Sequence, residues 1–290
     1  MTGGAAKGNW ADLKTRVVSG VVLAALGIGL LISTGIVLRI GLSVLVGLMI
    51  WELARLTGHL DQPARNERHA RLTGALAGLA FAGATLLPNA QIGGVLYSMR
   101  WAYALPLLPL VLGWRGSVAR NRWPFALFFI GILGAATGIA FAREGIGLEA
   151  VIWIAGVVVI SDIMGYFAGR AFGGPKFWPA ISPKKTWSGT VAGWIGALVF
   201  TIILQMIVGR LDLVQILLAP VIALAGQMGD IAESWLKRRV GVKDSSDLIP
   251  GHGGVMDRFD AMAGAFLAMM LISLAIAGYL LIFDFPVSGG

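Results

Sequence analysis

Residues 187–209 read WSGTVAGWIGALVFTIILQMIVG and contain no charged side chain. An α-helix needs about 20 consecutive apolar residues to cross the hydrocarbon core of a bilayer, and this run is long enough. The stretch therefore predicts a transmembrane helix.

The composition of the whole chain indicates the same environment. Of the 290 residues, 57% are hydrophobic and only 13% are charged, whereas soluble domains carry about 25% charged residues. The mean hydropathy is +0.80. Because so few charges cannot cover a soluble surface, the outer surface of the protein must face lipid.

The formal net charge is +8, and there is no cysteine. The lack of cysteine excludes disulfides and thiol nucleophiles. The positive charge does not indicate a nucleic-acid partner, because no basic, aromatic-interleaved soluble segment is present. Basic residues of membrane proteins instead collect in cytoplasmic loops.

Apolar runs long enough to span a bilayer recur along the chain. The first follows Arg16 and is too long for a signal-peptide core, so it predicts a retained helix. We predict nine transmembrane helices, near residues 17–34, 36–54, 72–88, 93–113, 124–142, 149–169, 187–209, 213–229 and 261–283.

The basic residues orient this arrangement. If the N-terminus is cytoplasmic, all but four of the 23 Lys and Arg lie in cytoplasmic segments, the exceptions being Arg39, Arg100, Arg143 and Arg210. The positive-inside rule favours this orientation. The predicted fold is an all-α, polytopic integral membrane protein of about nine transmembrane helices, with a cytoplasmic N-terminus and the C-terminus outside.

The two longest polar segments lie in the C-terminal half, at 170–186 and 230–260. Binding and catalytic groups concentrate in loops that a rigid scaffold holds. We therefore predict a scaffold region at 1–145, with lipid or dimer contacts, and a catalytic region at 146–290.

Carboxylates are frequent in the second polar segment. Asp230 is predicted to end one helix, and Asp257 and Asp260 to begin the next. Together with Asp244, these groups suit Mg²⁺ bound with a phosphate chain. The alternative for Asp257 is helix capping, because a carboxylate near a helix N-terminus is stabilising without a metal.

Cations and glycines occupy the same segment. Lys237, Arg238 and Lys243 would suit a triphosphate, although a plain cytoplasmic loop has the same composition. The glycine-rich turn at 250–254 allows backbone N–H groups to approach an anion before a helix begins. A simple hinge is the alternative for this turn, and an internal salt bridge is the alternative for Arg258.

An earlier helix carries polar residues at helical spacing. Asp162, Tyr166 and Arg170 lie at i, i+4 and i+8, on one helix face. An ionisable residue within a membrane span indicates function by default, but a buried pairing of Asp162 with Arg170 or Tyr166 would only join helices. Thr186 and Ser188 are candidate caps of the helix that begins at Trp187. Glu52 and Arg55, in the second helix, are expected to pair or to reach the interface.

The ordered pattern SWLKRRVGVKDSSDLIPGHGGVMDRFD at 234–260 resembles the signature of the phosphatidate cytidylyltransferase family, also called CDP-diacylglycerol synthase. A second block, DIMGYFAGRAFG at 162–173 followed by SPKKTWSG at 182–189, is similar to another block of that family. It departs at Gly165, where alanine is common, and at Ser188, where glutamate or glutamine is common. The resemblance covers about residues 150–270.

The resemblance implies the reaction of CTP with phosphatidic acid to give CDP-diacylglycerol and pyrophosphate, and a homodimer among membrane lipids. The predicted topology places the site on the cytoplasmic side, and a compact chain fits a bacterial inner membrane. We predict Mg²⁺ on Asp230 and Asp257, with Asp260 and Asp162 in support. Whether a second cation such as K⁺ assists stays open. Predicted catalytic residues are Asp230, Lys237, Arg238, Lys243, Asp244, His252, Asp257, Arg258 and Asp260. Predicted substrate-binding residues are Asp162, Tyr166, Arg170, Ser182, Lys184, Lys185, Thr186, Ser234, Gly253 and Gly254.

Three other functions are alternatives to cytidylyl transfer. A CTP-dependent lipid kinase would share CTP and Mg²⁺ but release CDP instead of pyrophosphate. A transporter would use Asp162 and Arg100 on an ion path, yet the polar residues crowd on one side of the predicted membrane. A CDP-alcohol phosphotransferase is disfavoured because its motif needs Asp-Gly, which the chain lacks.

Overall fold

The computed structural model describes residues 10–87, 91–92, 95–96 and 100–282. Nine α-helices occupy most of these residues: α1 Trp10–Ile32, α2 Gly35–Thr57, α3 Pro63–Leu86, α4 Leu107–Gly116, α5 Arg122–Phe141, α6 Leu148–Phe172, α7 Trp187–Val208, α8 Leu213–Val240 and α9 Met256–Ile282. Two short antiparallel hairpins are also present: β1 Gln91–Ile92 with β2 Val95–Leu96, and β3 Lys176–Trp178 with β4 Ser182–Thr186. Short 3₁₀ helices lie at Arg100–Ala104 and Ala119–Asn121, and a π-helical turn at Ala142–Ile146.

The predicted class, an all-α polytopic membrane protein, is confirmed. Within the described residues, seven segments are long and apolar enough to cross a membrane, and they comprise α1, α2, α5, α6, α7, α8 and α9. Helix α3 begins in a charged segment, and α4 has only 10 residues. At 1.5 Å per residue α4 rises about 15 Å, which is half of the ~30 Å hydrocarbon core.

Four predicted boundaries are corrected. Helix α3 begins at Pro63, not near residue 72, and among the described residues the α-helix in the region predicted at 93–113 is only α4, Leu107–Gly116. Asp230 does not end a helix, since α8 continues to Val240. Ile231, Glu233 and Leu236 are buried along this extension, so one face of this largely polar segment packs inside the protein. The segment 170–186 contains the β3–β4 hairpin, although we predicted only a loop there.

The chain divides into two compact units. The first unit comprises 1–122 with 239–258, and its core is the packing of α2 against α3. Leu38, Leu42 and Ile50 of α2 are fully buried. Gly47 and Gly74 lie where the two helices meet, and a Cβ at Gly74 would lie 2.6 Å from the Gly47 carbonyl oxygen. Small residues at such crossings let membrane helices approach closely.

The second unit comprises 123–238 with 259–290. Helices α6 and α7 pack along their length, and Trp153 of α6 donates its indole N–H to Thr201 of α7 at 2.9 Å. Gln227 of α8 donates through Nε2 to Ser161 Oγ of α6 at 3.1 Å. Such interhelical hydrogen bonds satisfy polar groups that lipid cannot.

Gly193 of α7 faces this last contact, and its lack of a side chain makes a stability prediction. A Cβ there would lie 2.6 Å from Ser161 Oγ and 2.7 Å from Gln227 Nε2. We expect Gly193→Leu to cost about 1–3 kcal/mol, as overpacking of a well-packed core does. Thermal melting of the purified protein in detergent would measure this as a lower Tm.

Gly27→Leu is the matched control, because no atom lies within 4 Å of a Cβ at Gly27. We expect this variant to melt like the wild type. Equal melting of both variants would show that α7 is not packed as described.

Candidate functional site

The hairpin between α6 and α7 brings the predicted basic loop back onto the helices. Helix α6 ends at Gly173, where φ is +60°, a conformation that favours glycine. Thr186 then caps α7, its Oγ1 accepting a hydrogen bond from the Gly189 N–H at 3.2 Å. The capping role predicted for Thr186 is therefore confirmed.

Ser188 fixes the same junction from the other side. Its hydroxyl donates to the Gly173 carbonyl at 2.5 Å and lies 3.0 Å from Thr186 Oγ1. The start of α7 is thereby joined to the end of α6. This gives Ser188 a structural role at the position where the resemblance was weakest.

One face of α6 carries Asp162, Tyr166 and Arg170, as the spacing predicts. Arg170 Nη1 donates to the Tyr166 hydroxyl at 3.1 Å. Asp162 interacts electrostatically with Lys185 and Asp230. The face of α6 therefore points toward residues of β4 and α8.

Lys185 connects the hairpin to α8. Its Nζ lies 2.5 Å from Asp230 Oδ2 and 3.5 Å from the Gln227 carbonyl oxygen, to which it donates. Both charged side chains are about two-thirds to three-quarters covered, at 25% and 35% exposure. Partial burial weakens solvent screening, so this ion pair holds β4 against α8 more firmly than a surface pair would.

A cavity of about 430 Å³ opens beside this ion pair, entirely within the second unit. Its size falls in the range of about 300–1,000 Å³ that small-molecule sites occupy. Its lining combines cations, carboxylates and glycine backbone: Asp162, Gly165, Tyr166, Gly169, Arg170, Lys184, Lys185, Thr186, Gly189, Thr190, Gln227 and Asp230. Seven of these are predicted site residues.

Three carboxylates of the second unit form a cluster. Each of Asp230, Glu233 and Asp260 offers an oxygen, and these oxygens lie within 4.8 Å of one another. Ser234 Oγ donates to Asp230 Oδ1 at 3.3 Å, which places this predicted residue against the cluster. Hard oxygen ligands of this kind suit Mg²⁺, so the residues present fit the metal that the sequence predicts.

A predicted cation borders the same cluster. Lys237 Nζ lies 2.5 Å from Glu233 Oε2, and Glu233 is only 2% exposed. Arg238, by contrast, is exposed at the end of α8. The structure thus brings Lys237 to the carboxylate cluster and leaves Arg238 at the surface of the second unit.

The remaining predicted residues lie in the first unit, in the segment that follows α8. Lys243 and Asp244 are exposed there. Asp257 Oδ2 accepts hydrogen bonds from the Ser245 N–H at 2.8 Å, the Ser245 hydroxyl at 2.9 Å and the Gly254 N–H at 2.8 Å. The capping alternative for Asp257 is therefore real, and its role as a metal ligand stays a prediction.

His252 and Arg258 shape the glycine-rich turn. Arg258 donates twice to the His252 carbonyl, from Nε at 2.9 Å and from Nη2 at 2.6 Å. His252 Nδ1 lies 2.8 Å from Ser19 Oγ of α1. Gly251 and Gly253 have φ of +76° and +80°, values that require glycine.

Sequence reasoning missed three residues of these sites. Glu233 could have been found, because it lies three residues after Asp230 and four before Lys237, which is helical spacing. Gln227, which contacts α6 and α7, gave no local signal. Glu52, which contacts the 245–256 segment, did give one as an ionisable residue within an apolar helix, but we predicted only that it pairs with Arg55 or reaches the interface. The side chain of Arg100, on which the transporter alternative depended, lies outside the described residues.

The Glu233–Lys237 pair makes a second stability prediction. Lys237→Met removes the cation that lies beside a buried carboxylate, and breaking a buried pair in this way costs about 3–5 kcal/mol. The double variant Glu233→Gln/Lys237→Met removes both charges and is expected to recover most of the stability. Thermal melting in detergent tests both variants. A Lys237→Met protein that melts like the wild type would show that the Glu233–Lys237 ion pair does not stabilise the fold.

The chain also matches known proteins over nearly its whole length. The model of the cytidylyltransferase family matches residues 14–276. A phosphatidate cytidylyltransferase of Brucella abortus is 33% identical over 257 residues, covering 88% of this chain and 90% of that protein. One of Pseudomonas aeruginosa is 32% identical, covering 87% and 94%. The family predicted from the two sequence blocks is confirmed: the chain belongs to the phosphatidate cytidylyltransferase family of nucleotidyltransferases.

Proposed function

We propose that this protein transfers the cytidylyl group of CTP to phosphatidic acid, giving CDP-diacylglycerol and pyrophosphate. The observation that carries the proposal is the Lys185–Asp230 ion pair at the wall of the 430 Å³ cavity. It places a cation and a carboxylate, the groups that handle a metal-bound phosphate chain, beside a space suited to a small ligand.

The nucleophile needs little help from the protein. A phosphate monoester has a second pKa near 6, so the headgroup of phosphatidic acid is largely dianionic at neutral pH. One of its oxygens attacks the α-phosphorus of CTP, and the bond from that phosphorus to the bridging oxygen of the β-phosphate breaks. Pyrophosphate leaves with the bonding electrons, so no general base is required.

The protein must instead bring two anions together and stabilise the leaving group. In the cavity, Lys184, Lys185 and Arg170 would offset the charge of the triphosphate. Thr186 and Tyr166 line the same space, and Ser182 begins the strand that carries the two lysines. These residues would hold the nucleotide in line for attack, which is the main source of acceleration in phosphoryl chemistry.

We propose Asp230, Glu233 and Asp260 as the carboxylates that hold Mg²⁺, with Asp162 in support. Bound there, Mg²⁺ would neutralise phosphate oxygens and the charge that develops on pyrophosphate. Asp257 keeps its proposed role as a ligand.

The cations of the 234–260 signature belong to the same proposal. Lys237 lies against the carboxylate cluster, and Arg238 and Lys243 would extend positive charge toward pyrophosphate. Asp244 precedes the glycine-rich turn, which contains His252, Gly253 and Gly254, and Arg258 follows it. We propose that all five approach the phosphates. The hydrogen bonds of His252 with Ser19 of α1 and of Arg258 with the His252 carbonyl favour a shaping role for both residues over proton transfer.

We propose that the protein is a multi-pass protein of a bacterial inner membrane, with the N-terminus and the site on the cytoplasmic side. The distribution of basic residues supports this orientation. The other segments have the same orientation whether or not α3 and α4 span the membrane. These two helices are consecutive, so crossing with both returns the chain to the side on which it began. Phosphatidic acid would enter sideways from the inner leaflet, and a homodimer is what the resemblance implies.

The proposed reaction is tested with purified protein in detergent, CTP labelled at the α-phosphate, dioleoyl phosphatidic acid and Mg²⁺. We expect label in the lipid and release of pyrophosphate, and we expect EDTA to stop both. Release of CDP in place of pyrophosphate would instead assign a lipid kinase. A folded sample that gives neither product would refute the proposed function.

In the same assay, Asp230→Asn and Asp260→Asn should lower kcat about 100-fold or more, the scale of losing a main electrostatic contact. Both should also weaken Mn²⁺ binding measured by electron paramagnetic resonance. Asp61→Asn is the control, because that carboxylate is 72% exposed and lies in the first unit. If both cluster variants bound Mn²⁺ like the wild type, the metal site would not be at this cluster.

The proposed orientation is testable because the chain has no cysteine of its own. In intact cells, a membrane-impermeant maleimide should label Leu211→Cys, in the α7–α8 connection, but not Gln62→Cys, before α3. Asn89→Cys distinguishes seven spans from nine. The reagent should label it in intact cells if the chain spans the membrane nine times, and should not label it if the chain spans seven times. Labelling of Gln62→Cys without permeabilisation would reverse the orientation.

A further inference from the structure

Glu52 is a fully buried carboxylate near the C-terminal end of an apolar helix. It lies in α2, within a segment long and apolar enough to cross a membrane, and its exposure is 0%. The expected partner Arg55 instead lies 3.8 Å from Glu67, measured from Nε to Oε2. The prediction that Glu52 pairs with Arg55 or reaches the interface is therefore wrong.

Both carboxylate oxygens of Glu52 are occupied by the signature segment. Oε1 accepts from the Ser246 hydroxyl at 2.5 Å and from the Val255 N–H at 2.9 Å. Oε2 accepts from the Met256 N–H at 2.7 Å and from the Ser245 hydroxyl at 3.2 Å. Four donors to one buried carboxylate are what its burial requires.

The four donors belong to the two ends of one loop. Ser245 and Ser246 precede the glycine-rich turn, and Val255 and Met256 follow it. Met256 is also the first residue of α9, whose first N–H groups have no partner within the helix. Glu52 therefore closes the base of the loop and caps α9 with a negative charge, which the helix dipole favours.

The same contacts reach Asp257. Ser245 Oγ lies 3.2 Å from Glu52 Oε2 and 2.9 Å from Asp257 Oδ2. A hydroxyl has one proton, so it donates to one carboxylate at a time. Gly254 completes the packing, since a Cβ there would lie 1.9 Å from Ser245 Oγ. A change at Glu52 is therefore felt at Asp257 through a single intervening side chain.

We propose that Glu52 is a positioning residue for cytidylyl transfer. From the predicted scaffold region it holds the loop at 245–256 and the first turn of α9, and so fixes Asp257 and His252. It acts through these residues and does not contact substrate. The assignment to this reaction rests on the proposed function, whereas the positioning itself is measurable without turnover.

The test combines hydrogen exchange with kinetics on the full chain in detergent. Glu52→Gln preserves size but turns an NH₂ group toward two of the four donors. We expect faster exchange in peptides covering 245–256, little change in α6 and α7, and a kcat about 10- to 100-fold lower, the scale of misplaced reacting groups. Glu52→Asp keeps both oxygens and should recover part of kcat.

Glu67→Gln is the matched control, since Glu67 accepts hydrogen bonds from Trp51 and Arg71 in the same unit and is outside the proposed machinery. It should leave exchange at 245–256 and kcat unchanged. Wild-type exchange in Glu52→Gln would overturn the proposal. The proposal would also be overturned if Glu52→Gln exchanged faster over the whole chain and kept the wild-type kcat per folded molecule. If Glu52→Gln exchanges faster at 245–256 but the wild-type protein shows no cytidylyl transfer, only the proposed function is refuted.

Discussion

A carboxylate within a membrane span is tolerated only if the protein itself supplies its partners, and this constraint organises the structure. Three solutions appear in the described residues. Glu52 is held by two hydroxyls and two backbone N–H groups. Glu233 is held by Lys237, and Asp230 by Lys185. Each solution joins a carboxylate to the segments proposed to carry the chemistry.

The constraint explains why a chain so poor in charge concentrates its charges. In the second unit, Lys185 brings the β4 strand to α8, and the cavity lies beside that contact. In the first unit, Glu52 brings the signature loop to α2. The same interactions that make buried charges tolerable therefore place cations, carboxylates and a glycine-rich turn in fixed positions. Preorganisation of this kind is what stabilising a charged transition state requires.

Much of the fold could be predicted, because hydropathy reports directly on the membrane environment. Helices α6 and α7 begin and end within three residues of the predicted runs at 149–169 and 187–209. The extension of α8 to Val240 was missed, since a helix with one polar face reads as a loop when only apolar runs are counted. The hairpin at 176–186 was missed because its strands have only three and five residues, too few to show a clear alternation of apolar and polar positions.

The site was predictable to the extent that its residues are close in sequence. The pattern at 234–260 and the blocks at 162–173 and 182–189 indicated the family, and the two blocks contain most of the residues that line the cavity. The contact of Glu52 with Ser245 joins positions 193 apart, so no spacing rule could have revealed it. Gln227 was missed for the same reason, because its hydrogen bonds cross from α8 to α6 and α7.

The central claim is that the cavity beside the Lys185–Asp230 pair receives the nucleotide. An experimental structure of the protein with Mg²⁺ and α,β-methylene-CTP, in which the α–β bond cannot be cleaved, would test it most directly. The account predicts the triphosphate against Lys185 and the α6 face, with Mg²⁺ on the Asp230, Glu233 and Asp260 carboxylates. A nucleotide bound elsewhere, with this cavity filled by lipid or solvent, would contradict it.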